Sequence, residues 1–221
     1  MKRNIITTSD GSSSIRIEEW GETYHSIHGA VQEATHVYLM NGFYKINKES
    51  FKILEMGFGT GLNAYLTFLE ALKTNKNIEY HSVEGFPLSQ EEFESLNYKS
   101  LTVDESKQVV FDRMHLIEWE ELHELHSQFT LRKIHNTFQE VQLTNDYFDL
   151  IYFDAFGYPF QPELWTKDIF EKMYNCLQVN GVLVTYACRS TIKRAMKVAG
   201  FEIEVCPGPP GKREMSIAYK R

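Results

Sequence analysis

The chain has 221 residues, 43% hydrophobic and 24% charged, with a net charge of −7, which suits one globular domain with a full core and leaves little room for a second. No apolar run reaches membrane-spanning length, and the opening MKRNIITTSDGSSS lacks the apolar stretch of a signal peptide. Cys176, Cys188 and Cys206 are widely spaced with no CxxC pair, and HELH at 123–126 is not the HExxH spacing of two ligands on one helix face, so a reducing, cytoplasmic setting without a metal is expected.

Taken in chain order, GSSSIRIEEWGETYHS (11–26) alternates apolar and polar residues and predicts a short hairpin. GAVQEATHVYLMNGFY (29–44) predicts a helix, with Val31, Ala34, Val37 and Tyr38 at helical spacing. A strand–helix alternation follows: strand 51–57, helix 61–75, strand 78–85, and helix 88–98 with Ser89 as N-cap. The stretch 101–128 reads as amphipathic helix with little punctuation, and FTLRKIHN (129–136) as a strand. YFDLIYFDAF (147–156) has the continuous apolar centre of a strand buried on both faces. Helix 162–178, strand 181–187, helix 190–200 ended by Gly200, and a closing pair at 201–207 and 214–220 complete the chain. This order predicts an α/β fold, a mostly parallel sheet covered by helices on both faces, with residues 1–48 as an N-terminal extension and 49–221 as a Rossmann-like core. From Arg189 to Arg221 eight basic residues stand against three acidic ones, a stretch that reads either as solvated surface or as a basic face on an acidic protein.

The chemistry concentrates in LEMGFGTGLN (54–63), where Gly57, Gly59 and Gly61 follow a strand and open a helix. A phosphate-binding P-loop would need a Lys after the last glycine, and none is there. A dinucleotide fingerprint would place the third glycine one residue later. Three carboxylates add context. Glu55 precedes the first glycine, Glu84 closes the next strand where it can accept both hydroxyls of a ribose, and Asp154 closes a third apolar strand. In a parallel sheet all three converge on the crevice at the carboxyl ends of the strands. The ExGxGTG form resembles motif I of class I S-adenosylmethionine-dependent methyltransferases, whose positive sulfonium and ammonium suit an acidic pocket.

Four blocks carry a closer resemblance: GAVQEATHVYL, LEMGFGTGLNAYL, DLIYFDAFGYPFQPELWT and LVTYACRSTIKRAMKVAGFEIEVCPGPPGKREM. Together they are similar to the methyltransferases that finish the 5-aminomethyl group of tRNA wobble uridines, namely the stand-alone MnmD proteins and the amino-terminal half of the bifunctional MnmC enzymes. The resemblance runs from about Trp20 to about Tyr219. It implies S-adenosylmethionine as cofactor, methylation of the amine of 5-aminomethyl-(2-thio)uridine, a tRNA anticodon loop as partner, and a separate enzyme that supplies the aminomethyl group. It further implies that Glu55 and Glu84 hold the methionine and ribose ends of the cofactor, that Gly57, Phe58, Gly59 and Gly61 line it, and that Asn63 caps the next helix. The family often has Gly-Asp after the third strand, where this chain reads IHNTF, so the adenine contact falls to Asn136, Thr137 or the backbone there. Asp154 is the candidate for orienting the amine and accepting its proton, Phe156 and Tyr158 beside it can stack on the base, and Lys212 and Arg213 in their Gly/Pro-rich loop read either as a solvated hairpin or as tRNA phosphate contacts. An aminopropyltransferase has a similar glycine loop and acidic strand ends, and a non-catalytic binding module could keep the fold; the KREM-type tail and the intact carboxylates, respectively, argue against these.

Overall fold

The computed structural model describes residues 2–221. A three-stranded antiparallel sheet opens the chain: β1 (Arg3–Thr7), β2 (Ser13–Ile17) and the short β3 (Glu22–Thr23). The hairpin expected at 11–26 is therefore there, with one more strand ahead of it. The expected helix 29–44 is broken into three pieces: α1 (Ala30–Ala34), a π-helical segment (Thr35–Met40) and a 3-10 turn (Phe43–Lys45). Gly42 lies where an added Cβ would sit 2.4 Å from the Tyr38 carbonyl oxygen, so the chain can fold back here only on glycine.

The core follows as β4 (Ser50–Met56), α2 (Leu62–Thr74), β5 (Asn77–Glu84), α3 (Gln90–Glu94), α4 (Glu105–Leu116), β6 (Leu122–His126), β7 (Phe129–His135), β8 (Phe148–Phe153), α5 (Lys167–Cys176), β9 (Leu177–Thr185), α6 (Ser190–Val198), β10 (Glu202–Pro207) and β11 (Glu214–Tyr219). Ser89 caps α3 as expected, in a reciprocal capping box with Glu92. The eight-stranded sheet has the order β10-β11-β9-β8-β4-β5-β7-β6. Its central pairings β7–β5, β5–β4, β4–β8 and β8–β9 are parallel, and the flanking β6, β10 and β11 are antiparallel. This is the class I methyltransferase arrangement, Rossmann-like with an antiparallel closing strand. Along β4 and β8 successive residues alternate between two cores: Ile53 and Tyr152 pack on one side of the sheet, Leu54 and Phe153 on the other.

The helix expected across 101–128 is only partly present. α4 stops at Leu116 because Ile117 turns extended, and β6 then pairs antiparallel with β7. The run EWEELHELH offers too few apolar positions to bury a helical face, whereas the open edge of β7 offers a hydrogen-bond ladder. Tertiary pairing overrides local propensity, and the charged strand protects the sheet edge. Successive connections from β4 run toward β5 and β7 on one side, while β8 and β9 lie on the other. The chain thus reverses its winding between β4 and β8, and a crevice opens beyond their carboxyl ends.

Candidate active site

That crevice is a cavity of about 760 Å³, walled by three parts of the chain. The core supplies the glycine loop after β4, the end of β5, and the loops after β7 and β8; the N-terminal extension supplies Trp20 to His28 and Glu33; the C-terminal segment supplies Gly211 and Lys212. Of the residues singled out in the sequence, Gly57, Phe58, Gly59, Asn63, Glu84, Thr137, Asp154, Phe156 and Lys212 line it.

The loop geometry explains the glycines. Gly57 (φ +101°) and Gly59 (φ +50°) adopt left-handed backbone, and a Cβ on Gly57 would stand 2.7 Å from the Asp154 carbonyl oxygen. The Gly57 amide donates to the Val83 carbonyl at 2.9 Å, and the Asp154 amide to the Met56 carbonyl at 3.0 Å, so three strand ends are tied together. Glu84 accepts from the Gly59 amide (2.8 Å) and the Phe86 amide (2.7 Å), which fixes its carboxylate at the cavity wall. Gly61 begins α2 at φ +74°, and a Cβ there would lie 2.9 Å from His115 Nε2. It does not line the cavity; its role is to let α4 pack against the loop.

Asp154 is the chemically distinctive group. Burial, together with the negative charge of Glu33, lifts its carboxyl to about 6, while the Tyr38 hydroxyl, Asn63 and the Lys212 ammonium oppose the rise. Asn63 Nδ2 donates to Asp154 Oδ2 at 2.8 Å. Asn63 was expected to cap α2, but Gly61 takes that position and the Asn63 side chain serves Asp154 instead. Tyr38 reaches Asp154 from the π-helical segment, close enough to act on its charge but outside hydrogen-bond limits, and its own buried hydroxyl has no other partner among the described residues.

Beyond Asp154, Lys212 bonds to the buried Glu33, and its ammonium sits 3.8 Å from the centre of the Tyr186 ring. Glu33 also accepts from the Ser26 amide at 2.7 Å. Phe156 meets Trp20 (5.3 Å between ring centres) and Tyr24 (4.9 Å) edge to face, forming an aromatic wall.

Four other residues named from the sequence lie elsewhere. Glu55 is fully buried behind the loop, where Oε2 accepts from Ser82 at 2.6 Å and Oε1 has no partner among the described residues. Burial raises its pKa well above the ordinary carboxylate range. It stands in β4 opposite Ser82 and Tyr152, pointing into the packed side of the sheet. Asn136 bonds its own loop, with Oδ1 accepting from the Thr137 amide at 2.8 Å. Tyr158 lies under the Arg189 guanidinium, 5.1 Å away. Arg213 projects into solvent with 95% of its side chain exposed.

A family of S-adenosyl-L-methionine-dependent methyltransferases is matched over residues 104–221, more than half of the chain. The chain belongs to this methyltransferase family. Bifunctional MnmC proteins, named for tRNA 5-methylaminomethyl-2-thiouridine biosynthesis, are similar across nearly its whole length. The one from Leptospira interrogans serogroup Icterohaemorrhagiae is 28% identical over 90% of this chain and 33% of the relative, and that of Cupriavidus metallidurans is 26% identical over 90% and 31%. The chain therefore spans about a third of the length of these relatives. Among solved structures, MnmC2 from Aquifex aeolicus superposes with a TM-score of 0.78 at 22% identity, covering 100% of this chain and 70% of the other. Spermidine synthase from Thermotoga maritima reaches 0.58 at 14% identity over 99% and 69%, a likeness of fold alone.

The methyltransferase's cavity suits its cofactor. Gly57 and Gly59 bring backbone to the cavity wall, Asn63 Oδ1 is a buried acceptor without a partner among the described residues, and the carboxylates of Glu84 and Asp154 line the same cavity, a donor set that suits ribose hydroxyls and a positive charge. No helix among the described residues is long and apolar enough to cross a membrane.

Proposed function

We propose that this methyltransferase acts on the exocyclic amine of 5-aminomethyl-(2-thio)uridine at the tRNA wobble position, giving the 5-methylaminomethyl product, and that a separate enzyme installs the aminomethyl group beforehand. The observation that carries this reading is Asp154, a carboxylate raised to about 6 at the end of a cavity that also presents an aromatic wall. A single flipped pyrimidine bearing a cationic arm matches that pair of features, a flat ring for the wall and an alkylammonium for the acid. The MnmC names of the relatives support the choice of substrate.

In this reading Glu84 holds the ribose of S-adenosylmethionine, with Gly57, Gly59, Thr137 and Asn63 around the rest of the molecule. When bound, S-adenosylmethionine supplies a methyl group on a positively charged sulfur. The chain's own groups handle the amine. An alkylammonium is mostly protonated near neutral pH, so a lone pair must be freed. Asp154, ionised above about 6, accepts a hydrogen bond from the nitrogen, fixes its orientation and takes up a proton as the new bond forms. Asn63 holds the Asp154 carboxylate in place at 2.8 Å, and the Lys212–Glu33 pair balances charge beside it. The N-terminal extension and the core work as one unit, because the first supplies Trp20, Tyr24 and Glu33 and the second supplies Asp154. Its three free cysteines suit a cytoplasmic enzyme.

The test is direct. Purified protein, S-adenosylmethionine and tRNA carrying 5-aminomethyl-wobble uridine should yield the methylated nucleoside in mass spectra of digested tRNA. Absence of that product would defeat the substrate assignment. Parallel calorimetry with decarboxylated S-adenosylmethionine separates an aminopropyltransferase, which would prefer that ligand.

A further inference from the structure

Apart from Lys212, the basic residues of the stretch 189–221 do not line the cavity. Lys212 is taken by Glu33, but α6 carries Lys193, Arg194 and Lys197 with no acidic residue in its sequence STIKRAMKV, and Arg189 caps it. Among the described residues no carboxylate pairs with any of these four cations. The acids on the neighbouring β10 are occupied elsewhere: Glu202 pairs with Arg221 at 3.2 Å, and Glu204 accepts from the Tyr219 hydroxyl at 2.6 Å. Lys193, Arg194 and Lys197 line a shallow groove with Ile203 and Val205 of β10. In a protein of net charge −7, an uncompensated cluster of this kind is a local reversal of the surface field.

Its position is as telling as its charge. Arg189 lies over the ring of Tyr158, in the same loop that carries Asp154 and the wall residue Phe156. Lys193 follows one helical turn later and Lys197 two turns later, so the stripe runs roughly 12 Å away from the cavity mouth at 1.5 Å per residue. That length passes several phosphates of a nucleic-acid strand.

We propose that α6 is the docking face for the phosphodiester backbone of the RNA whose base enters the cavity, with Arg189, Lys193, Arg194 and Lys197 as its contacts. This rests on the reading of tRNA as substrate and adds where the body of that tRNA lies. Phosphate recognition here is electrostatic and indifferent to sequence, so it supplies affinity while the cavity supplies selectivity.

The experiment compares wild type with the triple variant Lys193→Glu, Arg194→Glu, Lys197→Glu, using a tRNA transcript with an unmodified wobble uridine as the binding probe. The variant should bind at least about tenfold more weakly near 0.1 M salt, and the slope of log affinity against log salt should shrink by about two to three units. Binding of S-adenosylmethionine and the melting temperature should match wild type, and with modified tRNA the KM should rise at unchanged kcat. A triple variant that binds tRNA with wild-type affinity and slope overturns the docking face while leaving the substrate reading intact. Wild-type protein that fails to bind tRNA overturns both.

Discussion

Replacing Gly57 with Ala tests whether the glycine loop and Asp154 are one mechanical unit. The new methyl would meet the Asp154 carbonyl oxygen at 2.7 Å and its carbon at 3.4 Å, on a backbone with φ +101° that L side chains rarely adopt. Neither partner can yield cheaply, since the Gly57 amide is bonded to Val83 and the Asp154 amide to Met56. Left-handed strain costs about 1–2 kcal/mol, and an overpacked contact adds about 1–3 kcal/mol. A loss of roughly 2–5 kcal/mol lowers the melting temperature by about 4–20 °C for a chain of this size. Relief of the clash pushes the Asp154 peptide outward by a few tenths of an ångström, and with it the carboxylate, so turnover should fall by about 10- to 100-fold. The assays are a thermal melt and single-turnover methylation of tRNA. Gly59→Ala is the control: its Cβ meets only the Tyr24 ring, at 3.2 Å, a side chain that can move, so it should melt closer to wild type. A Gly57→Ala protein that melts and turns over as wild type does would refute the coupling.

Glu84→Ala should weaken S-adenosylmethionine binding by about 1.5–3 kcal/mol, measured by calorimetry, with part of the loss coming from the freed Gly59 and Phe86 amides. Asp154→Asn should retain the cofactor and lose most turnover, and the wild-type rate should fall as pH drops below about 6, where the carboxylate gains a proton. The same group gives a stability signature: its folded pKa of about 6 lies above the ordinary 3.8, so its contribution is most favourable below 3.8, is lost as pH rises to about 6 and is flat beyond. Asp154→Asn should therefore gain up to about 3 kcal/mol on wild type at pH 7.5, a gap that closes by pH 4 in chemical denaturation. Lys212→Ala leaves Glu33 buried without its cation and should destabilise by about 1–3 kcal/mol, with Glu33→Gln in the same chain restoring part of the loss.

The parallel core was legible because its signals are local. Strands such as FDLIYF have a continuous apolar centre, and the glycine loop and Ser89 cap each sit within a few residues of what they organise. The stretch 117–128 was not, because its strand exists only by pairing with β7, and nothing in EWEELHELH encodes the neighbour it will meet. The site divides the same way. Glu84 and Asp154 could be placed at strand ends by reading forward from the glycines. Glu33, Trp20 and Tyr24 could not, because they reach the cavity from an extension folded over those ends. The clearest case is the Glu33–Lys212 pair, 179 residues apart in sequence. Lys212 read as a phosphate contact only because its partner was out of sight.

Two acids at the ends of neighbouring strands show how similar sequence contexts yield different groups. Glu55 and Asp154 both close apolar strands, and sequence alone gives each the same standing. Glu55 is wholly enclosed behind the loop and bonded to the Ser82 hydroxyl, and burial raises its pKa well above the ordinary range. Asp154 lies beyond the strand end, where Asn63, Tyr38 and Lys212 offset part of its burial and leave it at about 6. A group there is ionised at neutral pH yet basic enough to take a proton.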